Sequence, residues 1–225
     1  MKKSFLEKIL KNINSRNKTF LIKNLKNGDE WIFENISQIP NFSPSLKEKF
    51  FKLLYEEKSG IVKDSETFFI HAFIPKPRIA IVGAVHIAQP LSIIAANSGF
   101  DVMVIDPRSA FSTRKRFPNS KITSDWPDDA LKKYNPDKRT AIVTLTHDPK
   151  LDDAALNIAL KSDAFYIGSL GSKTTHSGRL NRLKRSGFTK DTISRIYGPV
   201  GLDIGAKSPA EIAVAIMAQI IQVRK

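Results

Sequence analysis

The hydrophobic pattern changes character at Pro77. Beyond it, Ile79–Val82, Val102–Ile105, Thr140–Leu145 and Ala164–Ile167 are short, largely apolar runs of strand length. Between and after them, His86–Ala96, Leu151–Lys161 and the stretch from about Thr174 to Ser186 read as helices. Strands apolar on both faces and separated by helices belong in a parallel sheet covered on both sides. Ile122 suggests one more short strand, Asp128–Lys133 a short helix and Asp191–Tyr197 another. The last helix has the clearest start, with Ser208 as N-cap, Pro209 at the first position and Glu211 completing a capping box. From Ile212 to Val223 it is apolar on nearly every side, which predicts burial against the sheet.

Residues 1–76 read differently. Ser4–Ile13 predicts an amphipathic helix, and Thr19–Leu25 and Glu30–Ile36 flank Asn27-Gly28-Asp29 as a hairpin. Ser43-Pro44 opens a helix to about Glu57, and Thr67–Ile74 is a strand. Pro75-Lys76-Pro77 is a stiff joint that discourages regular pairing. The expectation is a small α+β domain over 1–76 and an α/β, Rossmann-like doubly wound parallel sheet over 77–225.

The second domain opens with strand, glycine turn, helix, strand and acid. Asp106 lies 23 residues beyond Gly83, near the spacing at which an acid reaches a nucleotide ribose. One position departs from a dinucleotide fingerprint: Val85 stands where a second glycine lets a pyrophosphate approach the backbone. The turn is either a ligand turn or one kept for packing.

Composition narrows the chemistry. The chain has no cysteine, which excludes disulfides, thiolate metal sites and a cysteine nucleophile. No run of about 20 apolar residues appears, so no membrane span is expected. The basic start MKKSFLEKILKNI lacks a signal-peptide core, leaving the cytoplasm as the default compartment. The net charge of +14 permits a nucleic-acid reading, but no recognition motif accompanies it, and a solvated lysine-rich surface accounts for it.

Ligands of open α/β sheets bind beyond the carboxyl ends of the strands. The first strand brings Gly83 and His86 there, and the second Asp106 and Arg108. Another brings Thr146, His147 and Asp148, and the next Gly168, Gly171, Ser172 and Lys173. His147 with Asp148 is a candidate acid–base pair, because imidazole titrates near neutrality. Gly168–Ser172 before a helix start is a candidate phosphate cradle, with Lys173 converging on it. His176 falls one turn into that helix. No histidine pair shows ligand spacing on one element, so no metal site is expected.

At these residues the sequence resembles the XdhC/CoxI family, the accessory factors of xanthine dehydrogenase and related molybdenum hydroxylases. The motifs are IVGAVHIAQPL, VIDPR, LTHDPKLDDAAL, YIGSLGSKTTHSGRL and YGPVGLDIGAKSPAEIAVAIMAQI, within roughly Phe69–Val223. The family writes the first as GAGH, so Val85 departs from its pattern as well. The resemblance implies a protein that holds the molybdenum cofactor, protects it during sulfuration and passes it to an apo-hydroxylase. That cofactor is a molybdopterin phosphate, in some cases a dinucleotide. Gly83, Val85, His86, Asp106, Arg108, Thr146, His147, Gly168 and Gly171–Lys173 would line its cleft. A xanthine dehydrogenase-type molybdoenzyme, a cysteine desulfurase and a second copy in a homodimer are the implied partners. Relatives also carry a glycine-rich segment with a cysteine, which residues 1–68 lack. An NAD(P)-dependent oxidoreductase, with Asp106 on the ribose and His147 as proton donor, is the alternative.

Overall fold

The computed structural model describes residues 2–224. Contacts divide the chain into two compact units, one ending at Pro75 and the other beginning at Lys76, inside the Pro-Lys-Pro run.

In the first unit, α1 (Lys3–Asn14) precedes a hairpin of β1 (Thr19–Asn24) and β2 (Glu30–Phe33), paired antiparallel with Phe20 opposite Phe33. Asn24 shapes the turn by accepting the Lys26 N–H at 2.8 Å. Helix α2 (Pro44–Tyr55) starts at Ser43, whose hydroxyl accepts the Leu46 N–H. Strands β3 (Gly60–Lys63) and β4 (Thr67–Phe73) complete a sheet of order β2-β1-β4-β3. Strand β3 has no counterpart in the sequence expectations, because Val62 is its one buried residue and an edge strand needs no apolar run. Phe20, Ile22, Phe33, Phe50, Leu54, Phe68 and Ile70 form this unit's core.

The second unit runs β5 (Arg78–Val82), α3 (Ala88–Asn97), β6 (Asp101–Ile105), β7 (Lys121–Thr123), α4 (Pro127–Tyr134) and β8 (Thr140–Thr144). It continues through α5 (Pro149–Lys161), β9 (Tyr166–Ser169), α6 (Lys173–Arg185), α7 (Lys190–Ile193), β10 (Ile196–Tyr197) and α8 (Pro209–Val223). The strands form a parallel sheet of order β10-β9-β8-β5-β6-β7. The winding reverses between β5 and β8, where such sheets open a crevice. Side-chain alternation makes two cores. Ile79 and Ile81 pack with Leu91 and Ala95 of α3 and Ile216 and Ile220 of α8. Ala80 and Val82 pack with Leu131 of α4 and Ala155, Leu156 and Ala159 of α5. Each fully buried isoleucine contributes about 1.5–3 kcal/mol of transfer free energy.

Three expectations change. His86 lies in the turn before α3, not in the helix. The helix expected over 191–197 ends at Ile193, and Ile196–Tyr197 pairs with Ile167–Gly168 as an edge strand. Its β-forming residues find an open strand beside them, and Tyr197 stacks on Tyr166 at 4.9 Å. Helix α8 is buried on one side only, with Val214 and Ile221 about half exposed, because it lies in an outer layer. No described helix is long and apolar enough to cross a membrane.

Candidate functional site

The turn after β5 is built around Gly83 and Asp106. Gly83 has φ +107°, and a Cβ there would stand 2.7 Å from Thr146 Cγ2 and 3.1 Å from Thr146 N. Only glycine lets the β5 turn lie this close to the residues after β8. The Ala84 N–H donates to Asp106 Oδ2 at 2.8 Å, and the Gly83 N–H to the Ile105 carbonyl at 2.8 Å. Asp106 also receives the Arg108 N–H at 3.0 Å and its guanidinium in a fork at 2.9 and 2.8 Å. Its side chain has no exposed surface. Burial alone would push this carboxyl up. The Arg108 fork, the Ala84 and Arg108 N–H groups and the Arg108 charge outweigh it and hold the pKa below its ordinary value.

Asp106 therefore braces the turn internally, with both carboxylate oxygens bonded within the protein. Val85 is half-buried and packs against the core, so this turn closes on the protein. His86 and Arg108 are exposed beside it, and the Arg108 guanidinium lies 4.9 Å from the Phe111 ring centroid.

Beyond β8 the chain turns sharply. Thr146 is buried, and its hydroxyl donates to Asp152 Oδ1 at 2.6 Å while accepting the Asp148 N–H at 3.1 Å. His147 is exposed with φ +61°, a left-handed conformation costing on the order of 1 kcal/mol or more for a residue with a Cβ. Asp148 caps α5 by accepting the Lys150 N–H at 2.9 Å. No hydrogen bond joins Asp148 to His147 among the described residues, so the expected acid–base pair has no contact behind it.

Beyond β9, Gly168 is required for packing. A Cβ there would press on Val200 Cγ2 at 2.6 Å and Tyr166 Oη at 2.7 Å, inside the sheet. The cradle begins at Gly171, with φ +142°, followed by Ser172 as N-cap of α6. Ser172 accepts the Thr175 N–H at 3.1 Å, and exposed Lys173 is the first helical residue. The helix dipole and the outward N–H groups of its first turn make this a cationic end.

Two residues not foreseen from the sequence lie beneath these loops. Asp152 and Arg179 are both about 2% exposed, with Oδ2 and Nη2 3.6 Å apart. Arg179 Nη2 donates to the Leu170 carbonyl at 2.7 Å. Burial, partly offset by Thr146 and Arg179, raises the Asp152 pKa. Burial lowers that of Arg179. Both sit within helical stretches, where Asp and Arg ordinarily face water, and no local signal separates them from their neighbours. His176 is half-buried, its ring filling the space left by Gly198. Burial and then the Arg179 charge hold it below its ordinary pKa. Among the described residues no group of three or more His, Asp and Glu is placed to hold a metal ion.

Thus His86, Arg108, Thr146, His147, Gly171 and Ser172 belong to the loops following β5, β6, β8 and β9, at the carboxyl edge of the sheet, and Lys173 opens the helix beside them. Comparison with known proteins places the fold. Residues 79–220 match the XdhC Rossmann domain. A Bacillus subtilis protein named as a probable xanthine dehydrogenase subunit is 39% identical over 158 residues, 70% of this chain and 46% of that protein. The molybdenum cofactor insertion chaperone PaoD of Escherichia coli is 29% identical over 154 residues, 68% of this chain and 42% of that one. The chain thus spans less than half the length of these relatives. A crystal structure described as a xanthine dehydrogenase from Bacillus halodurans superposes with a TM-score of 0.68 at 28% identity, covering 98% of this chain and 63% of that one. This likeness reaches into the first unit, where the sequence motifs do not.

Proposed function

The chain belongs to the XdhC family through its Rossmann domain, and from that premise we propose that it is an accessory factor carrying the molybdenum cofactor as cargo for a xanthine dehydrogenase-type molybdoenzyme. The observation that carries this reading is the turn between β9 and α6. There Gly171, Ser172 and Lys173 present a helix N-terminus and a lysine to an anion, and the cargo is a pterin phosphate. With no cysteine in the chain, no thiolate from this protein binds the molybdenum, so the grip falls on the phosphate end. His86, Arg108 and His147, exposed on neighbouring loops, would meet the rest of the cargo. The insertion chaperone among the relatives supports the same class of role.

Two features favour carriage over turnover. Among the described residues His147 has no hydrogen-bonded orienting partner, and Asp106, the residue an NAD(P)-dependent mechanism would place on the ribose, is bonded inside the turn. Sulfuration of the cargo by a desulfurase and pairing of two copies extend the proposal without bearing on this site.

The test is direct. The protein is purified from cells that make molybdenum cofactor, denatured and oxidised, and the supernatant is read for pterin fluorescence. A stoichiometric pterin is expected. A protein recovered repeatedly without pterin, from cells whose molybdoenzymes remain fully loaded in its absence, overturns the proposal.

A further inference from the structure

Arg179 is a charge without enough partners. A buried guanidinium is tolerated when its five N–H groups are bonded and its charge is paired. Here the Leu170 carbonyl takes one N–H, and the Asp152 carboxylate stands 3.6 Å from Nη2, beyond hydrogen-bond length. The Asp152 oxygen nearer to Thr146 is already occupied by that residue's hydroxyl and N–H. Nε and Nη1 of Arg179 are buried with no hydrogen-bond partner among the described residues, as is Nδ1 of His176.

The position of this charge matters as much as its deficit. Side chains on a helix lean toward its N-terminus, and Arg179 does so far enough to reach Leu170, nine residues earlier. Its head group therefore lies under the start of α6. The backbone above it is Gly171, where the site of a missing Cβ is 3.6 Å from Nη2 and 2.9 Å from Thr175 Cγ2. The carboxylates around it are the ion-paired Asp152, 3.6 Å from Nη2, and Asp153, which is bound in a fork by Arg182.

We propose that Gly171–Thr174, Lys173 and the buried Arg179 form a subsite for a phosphate monoester or pyrophosphate, with Arg179 as its recognising charge. The inference deepens the carrier reading and rests on it only for the identity of the cargo. First-turn N–H groups and Lys173 hold the outer oxygens, and the Arg179 guanidinium, with Nη2 closest to Gly171, supplies the charge beneath them. Asp152 holds Arg179 in reserve. Because Asp152 also holds Thr146, an anion drawing on Arg179 is felt at the loop that carries His147.

Calorimetric titration of the full chain with inorganic pyrophosphate at low salt tests this. Replacing Arg179 alone strands the Asp152 charge, so the main variant is Arg179→Met with Asp152→Leu, which removes both. Lys173→Ala, at an exposed position, accompanies it. The wild type binds pyrophosphate, the double variant binds roughly tenfold or more weakly, as loss of a charge-assisted hydrogen bond predicts, and Lys173→Ala is also weakened. Competition by ADP and by inorganic phosphate then identifies the kind of ester accepted. Absence of wild-type binding overturns the subsite, as does undiminished binding by a folded double variant. Stoichiometric pterin on a wild type that ignores pyrophosphate would sink the subsite and spare the carrier reading. Pyrophosphate binding by a chain that never carries pterin would do the reverse.

Discussion

Asp106→Asn should destabilise the protein by about 3 kcal/mol, mostly through one backbone N–H. In the native turn, Oδ2 accepts from Ala84 N and Arg108 Nη2, and Oδ1 from Arg108 N and Nε. An amide of the same shape keeps one acceptor and turns an NH2 group toward two donors. If that group faces Ala84, a buried N–H goes unsatisfied, at about 1–3 kcal/mol. The loss of the Arg108 pair adds only about 1 kcal/mol, because that side chain is 43% exposed and water can replace the contact. For a chain of this length each kcal/mol lowers Tm by roughly 2–4 °C, giving a drop of about 6–12 °C in calorimetry. The pH profile adds a second signature. The carboxyl's pKa is lowered in the fold, so its contribution is complete above the unfolded value of about 3.9 and is lost as pH falls through the lower folded value. The gap between wild type and variant should therefore hold steady from neutrality to about pH 5 and close in stronger acid. A variant that melts within about 2 °C of wild type at pH 7 would refute the bracing role and reopen Asp106 as a ligand contact.

Two other substitutions separate packing from binding. Gly168→Ala brings a methyl against Val200 and Tyr166 and should cost about 1–3 kcal/mol in urea unfolding, while pterin recovered per folded chain stays unchanged. Loss of pterin at full stability would return Gly168 to the cradle. Ser208→Ala removes the acceptor for the Glu211 N–H and half of a capping box, and should cost about 1 kcal/mol by thermal melting. An unchanged melt would mean that packing alone starts α8.

Much of this architecture follows from local patterns. The apolar runs from Ile79 to Ile167 mark the four central strands because a strand buried on both faces cannot hide among polar neighbours. The α8 capping box and the Asn27-Gly28 turn were equally legible, since their chemistry is completed within a few residues. Two edge strands, β3 and β10, were not: they bury little, and a partner strand decides their conformation. The site divides the same way. Gly171, Ser172 and Lys173 could be placed from sequence because a helix start is a local event. Asp106 could be found but its bracing role could not, since the spacing that suggests a ribose contact says nothing of the Ala84 N–H, the Arg108 N–H and the Arg108 fork that bond its two oxygens. That Gly168 is needed for packing could not be read locally, because Val200, which fills the space beside it, comes from a distant part of the chain. Asp152 and Arg179, 27 residues apart on two helices, look like surface charges in any window of sequence. Only the packing of α5 and α6 against the sheet brings them out of water and toward each other, because burial depends on what the rest of the chain places around a residue.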